Sequence, residues 1–112
     1  MSYWTDKTIE YLRNSDLRRA RDLDLAEKLF LSPTSLRRRL RLDGTSYSKL
    51  RDAERKRRML QELEANPMAT AERLAEVGGY REPNSASRAL RTWCGFGLNQ
   101  VRANPSVLRE AA

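Results

Sequence analysis

A break at Ser32-Pro33 constrains this chain more than any other feature. Ahead of it, Leu25, Ala26, Leu29 and Phe30 recur at the three- and four-residue spacing of one helix face. Ser32 can accept a hydrogen bond from the unsatisfied amides of a following turn, and Pro33 suits the first helical position, where its missing N–H costs nothing. The next helix then runs from Thr34 through Leu42 to Asp43-Gly44. Leu36 and Leu40, four apart, point one way, and Arg37, Arg38 and Arg41 lie on or beside the opposite face. Two short amphipathic helices meeting at a tight break predict a helix-turn-helix whose second helix shows the solvent a short, polar, cationic face.

The charge distribution sharpens this reading. The chain has 112 residues and a net charge of +7. Between Pro33 and Arg58 stand ten basic residues (Arg37, Arg38, Arg39, Arg41, Lys49, Arg51, Arg55, Lys56, Arg57, Arg58) against Asp43, Asp52 and Glu54, so this stretch holds the whole excess and the remainder is neutral. A field confined to one segment marks a docking surface for a polyanion. The plain alternative is a solvated helix face. What favours docking is position, because arginines at and beyond the first turn of a core-anchored second helix suit major-groove reading, where Arg pairs with guanine O6 and N7.

Other functions lose their chemistry. The chain has no histidine, the commonest general base and zinc ligand, and no paired base and nucleophile, phosphate loop or metal-ligand spacing, so neither an enzyme nor a cofactor is expected. The one cysteine, Cys94, excludes an internal disulfide. With no signal peptide or long apolar run, the expectation is a cytoplasmic protein that does not enter a membrane.

The rest of the chain repeats the first plan. A first helix over Tyr3 to Asn14, with Thr5 as its N-cap, covers the core, and the mixed signs of Arg18, Arg19, Arg21, Asp16, Asp22 and Asp24 offset one another. After Gly44, Thr45-Ser46 caps a long helix whose stripe is Tyr47, Leu50, Ala53, Met59, Leu60 and Leu63. Tyr47 to Glu64 would span roughly 27 Å at about 1.5 Å per residue, against about 34 Å for one duplex turn. Thr70 caps a helix with Ala71, Leu74, Ala75 and Val77 that stops at Gly78-Gly79. A second Pro-opened helix follows Pro83, with Ala86, Ala89, Leu90 and Trp93 inward and Asn84, Ser87, Arg88 and Arg91 outward. Gly95 ends it, Leu98 to Ala103 form a last short helix, and Ser106 to Ala112 read as a loose tail. The expected organisation is one domain over 1–112: a first helix-turn-helix over 3–44, a linker helix over 46–66, a second helix-turn-helix over 70–103 and a tail over 104–112.

From about Leu23 to Arg102 the sequence resembles the DNA-binding domain of the AraC/XylS family of bacterial transcription regulators. The carrying residues are Val77-Gly78-Gly79-Tyr80, Glu82-Pro83, Ser87-Arg88-Ala89, Trp93, Gly95 and Arg102, with Leu25-Ala26, Leu31-Ser32-Pro33, Leu36, Gly44, Ser46 and Arg55 in the first half. Ala86 and Leu90 stand where the family usually has phenylalanine, Lys56 where it is often apolar, Leu98 where it has proline and Val101 where it has tyrosine. The resemblance implies an all-α, homeodomain-like fold of seven helices, two helix-turn-helix subdomains joined by the long central helix, with both recognition helices in adjacent major grooves of double-stranded promoter or operator DNA. Carried over by position, the base-reading candidates are Thr34, Arg37, Arg38, Asn84, Ser87 and Arg88. Arg41, Arg91 and Ser35 stand at the edge, and Ser32, Arg39, Lys49, Arg51 and Arg55 on phosphates. Arg88 has a competing role as an ion-pair brace.

The resemblance further implies a bacterial, nucleoid-associated regulator that recruits or positions RNA polymerase. It also implies an effector-binding or dimerisation domain, which these residues do not contain, so the expectation is a stand-alone regulator or the output end of a longer protein. A basic helical adaptor for RNA or an acidic protein, without DNA sequence readout, is the alternative. Cys94 reads either as a redox switch with a depressed pKa or as a structural thiol beside Trp93. Trp4 and Trp93 sit at core spacing, which favours packing over stacking on bases. Arg55-Lys56-Arg57-Arg58 looks like a nuclear import signal only out of its helical context.

Overall fold

The computed structural model describes residues 2–111, so Met1 and Ala112, the ends of the expected domain range, lie outside the described residues. Among the described residues there are eight α-helices and no strand: α1 (Tyr3–Arg13), α2 (Asp22–Lys28), α3 (Pro33–Leu42), α4 (Tyr47–Ala65), α5 (Ala71–Gly78), α6 (Pro83–Cys94), α7 (Leu98–Ala103) and α8 (Leu108–Ala111), with a 3-10 turn at Pro105–Val107 between the last two. The chain forms two compact units, residues 1–54 and 55–112.

In the first unit Leu12, Leu17, Leu25, Ala26, Leu36, Leu40 and Tyr47 close one apolar cluster, with Leu29, Leu31 and Leu50 packed against it. Helix starts follow the expected chemistry at two of three places. Ser32 accepts from the Ser35 amide at 3.1 Å, and Ser46 accepts from the Lys49 amide at 3.1 Å. The first helix corrects its expected cap: Ser2, not Thr5, caps α1, accepting from the Thr5 amide. Thr5 is buried one turn in, and its hydroxyl and that of Ser2 both donate to Asp43, the residue that closes α3. These two bonds hold the Asp43 carboxyl below the usual carboxylate range.

Phe30 departs from the expected apolar face. It is 96% exposed, with φ +57° in the left-handed region. The cause is the way α2 ends. Phe30 N–H donates to the Glu27 carbonyl at 3.1 Å and Leu31 N–H to the Ala26 carbonyl at 2.9 Å, the paired bonds that close a helix through one left-handed residue. The same closure ends α3 through Gly44, and α5 also ends at a left-handed glycine, Gly79, where the Gly79 and Tyr80 amides both donate to the Ala75 carbonyl; at both glycines a missing Cβ removes the steric cost. Leu31, the next residue, takes the packing position that the periodicity gave to Phe30.

The second unit packs Met59, Leu63, Ala69, Leu74, Ala75, Ala86, Leu90, Phe96, Val101 and Leu108. Thr70 caps α5, accepting from the Arg73 amide at 3.1 Å. Gly78 touches the core, since a Cβ there would lie 2.9 Å from Met59 Sδ. Two expectations change. Ala53, placed on the stripe of α4, is exposed, whereas Glu54 beside it is buried and engaged with its surroundings. The tail is not loose: Leu108 is buried against the cluster, so the chain after Asn104 adds the 3-10 turn and an eighth helix. No helix among the described residues is long and apolar enough to cross a membrane.

Two outcomes follow from these placements. Phe30→Gly relieves the left-handed strain and is expected to raise unfolding free energy by about 1 kcal/mol in urea titrations; a loss of stability would contradict it. Tyr47 is the second case, because burial pushes its phenol up to about 12, with Tyr11, Asp22 and Asp24 adding and Arg51 opposing. A tyrosine in the unfolded chain ionises near 10. The stability linked to the neutral phenol is therefore fully present below pH about 10 and is lost as pH rises from about 10 to about 12. Circular dichroism should show Tyr47→Phe keeping its helix to higher pH than the parent chain.

Candidate nucleic-acid interface

The two Pro-opened helices carry the expected surface residues, each within its own unit. On α3, Leu36 and Leu40 are fully buried at 0% exposure. That burial turns Thr34, Arg37, Arg38 and Arg41 outward, and all four are exposed. On α6, Ala86 and Leu90 are buried, Asn84, Arg88 and Arg91 are exposed and Ser87 is half-buried. Ala86 and Leu90 on this helix, and Val101 on α7, are all buried.

The guanidinium groups differ in how they are held. Arg38, Arg41 and Arg88, like Lys49, make no ion pair or side-chain hydrogen bond with another described residue, so nothing in the fold competes for them. For Arg88 this leaves the brace reading without a partner. Arg37 is held instead: its Nε and Nη2 both donate to Asp22 Oδ2, at 3.3 and 3.2 Å. Arg91 lies over Gly97, where a Cβ would stand 2.7 Å from Arg91 Nη2, so the glycine makes room for the cation. Arg88, Arg91 and Arg102 line one open groove of about 490 Å³ with Thr70 and Ser87, a concavity whose walls are rich in donors.

Three arginines expected on phosphates have partners inside the fold. Arg39 sets its guanidinium over the Trp4 ring at 4.6 Å. Arg55 stacks on Tyr80 at 4.4 Å and donates to the Gly79 carbonyl at 3.5 Å, capping the end of α5. Arg51 is half-buried beside Asp52 at 3.7 Å. Ser32 is committed to its cap and also donates to Ser35 Oγ at 3.0 Å, which leaves Ser35 half-buried. Arg102 donates to the Ala69 carbonyl at 3.3 Å and braces the second unit.

Sequence reasoning missed Asp22 altogether, because nothing in a mixed-sign connection marks which carboxylate reaches another helix. Arg19 pairs with Asp16 and Arg21 with Asp24, each three residues away, whereas Asp22 reaches fifteen residues on. The depressed-pKa reading of Cys94 is overturned: burial pushes the thiol up, and Lys56 opposes this only in part. No group of three or more carboxylate or thiol side chains among the described residues is placed to hold a metal ion.

These features define an all-helical fold with two Pro-opened helices, α3 and α6, that each bury an apolar side and expose a polar, cationic one. No family model and no curated protein matches the sequence. Among solved structures the chain is similar to the crystal structure of a DNA-binding transcriptional dual regulator from Escherichia coli K-12, with 21% identity over 95% of each chain and a TM-score of 0.79. At that identity the likeness establishes the fold.

The half-buried Cys94, its thiol pKa raised by that burial, should be a poor nucleophile. At pH near 7.5, iodoacetamide is expected to alkylate it at least about tenfold more slowly in the native chain than in urea. Equal rates would return it to the class of reactive thiols.

Proposed function

We propose that this chain is a sequence-specific double-stranded DNA-binding regulator of bacterial transcription, of the AraC/XylS type. In this reading α3 and α6 each enter a major groove, as recognition helices of two homeodomain-like helix-turn-helix elements linked through α4. The observation that carries it is the repetition: each Pro-opened helix exposes an arginine, Arg38 or Arg88, that the fold leaves without a partner. A guanidinium held on a rigid helix with its terminal Nη1/Nη2 edge unengaged is what bidentate pairing with guanine needs. The likeness to a DNA-binding regulator fold supports the same reading.

Thr34, Arg37, Arg38, Asn84, Ser87 and Arg88 read bases. Arg41, Lys49 and Arg91 take phosphates, which contribute affinity but no sequence information. Arg39, Arg51 and Arg55 act chiefly within the protein, given the rings and carboxylate they already face. The protein carries out no catalytic step and works in the cytoplasm at the nucleoid. It positions RNA polymerase, and ligand sensing or dimerisation belongs to a partner domain outside these residues.

Selection from a random duplex pool at two salt concentrations tests this. The expected outcome is one bipartite motif with half-sites about 10 base pairs apart. Arg38→Ala and Arg88→Ala should each cost about 1–3 kcal/mol of discrimination at one base pair, whereas Lys49→Ala should weaken all duplexes alike and lower the salt slope by about 1. An unenriched pool would overturn the reading and favour the basic adaptor.

A further inference from the structure

We infer that Asp22 is a specificity-determining residue that positions Arg37 for base readout; this rests on the DNA-reading role proposed for Arg37. Asp22 opens α2, where the unsatisfied amides of the first turn favour a carboxylate. Its side chain is 25% exposed and that of Arg37 is 58% exposed, so the acid is the sheltered half of the pair and the cation the presented half. The two helices are fixed to each other by Leu25, Ala26, Leu36 and Leu40 in one cluster. Asp22 is therefore an anchored acceptor.

The geometry of the contact matters more than its strength. One carboxylate oxygen accepts from Nε and from Nη2, which engages one side of the planar fork. The terminal edge, made by Nη1 and the remaining N–H of Nη2, stays open. That edge presents two parallel donors, the pattern that matches guanine O6 and N7. Holding Nε fixes the rotation of the guanidinium plane, so Arg37 reaches the duplex already oriented, whereas its neighbour Arg38 must be ordered on binding. The carboxylate acts a second time through its charge, by disfavouring the approach of a phosphate to the same arginine. Asp22 thus converts a cation that would bind any backbone into one that reads a base edge.

The two effects predict a signature that a merely structural ion pair would not give. The full chain and its Asp22→Ala, Asp22→Asn, Arg37→Ala and Asp22→Ala/Arg37→Ala variants are titrated against the selected duplex, the same duplex changed at the base pair whose preference Arg37→Ala abolishes, and random duplex. The expected result for Asp22→Ala is that the guanine preference at that pair falls by about fivefold or more. Binding to random duplex holds or tightens, and the preference read by Arg88 is unchanged. Asp22→Asn, which keeps an acceptor oxygen, lies between the two, and the double variant matches Arg37→Ala. The inference is overturned if Asp22→Ala keeps the parent preference, or if it weakens all duplexes by the same factor. A parent chain that selects no motif would instead defeat the DNA-reading role, while a parent motif unaltered in the Asp22 variants would defeat only the positioning role.

Discussion

The burial of Leu36 and Leu40 fixes the roll of α3, and the character of its outer surface follows from that. Each fully buried leucine contributes about 1.5–3 kcal/mol, whereas an exposed ion pair contributes about 0–1 kcal/mol. The leucines therefore decide which way the helix faces, and Asp22 only orients a side chain on a face already chosen. Both ends of α3 are secured as well. Ser32 caps the start, and the end at Asp43 receives the hydroxyls of Ser2 and Thr5, which join the first helix to the close of the third. A rigid helix with an apolar underside has little freedom to withdraw its arginines.

The second unit reaches the same result with smaller side chains. Ala86 and Val101 share their cluster with Met59, an unbranched side chain of the kind that adapts to irregular gaps. Its thioether lies so near the Gly78 backbone that no larger residue fits there without displacement. Leu108 completes the cluster from the far end of the chain. The close backbone approach at Gly78 and the turn that carries Leu108 both serve this cluster.

Much of this fold was legible in the sequence, because caps and stripes are local signals. Ser32, Ser46 and Thr70 cap as their spacing predicts, and Gly79 and Gly95 end helices in the left-handed conformation. The inward and outward faces of α3 and α6 follow from period alone. What escaped were contacts between residues far apart in the chain, which leave no periodic trace: Asp22 with Arg37, Trp4 with Arg39, Arg55 with Tyr80. Counting arginines gave the field but not which of them were engaged. Phe30 was misread for a different reason. Its spacing fits the apolar face, but the helix ends just before it, and the left-handed closing residue turns its side chain to solvent. Tyr47 shows the limit from the other side, since its ring is at core spacing while its buried hydroxyl has no hydrogen-bond partner among the described residues.

The two apolar clusters have no residue in common. In evolutionary terms, the surface of one unit can change over an apolar cluster that the other unit does not share. A fold built this way can accumulate surface changes stepwise, one cluster at a time.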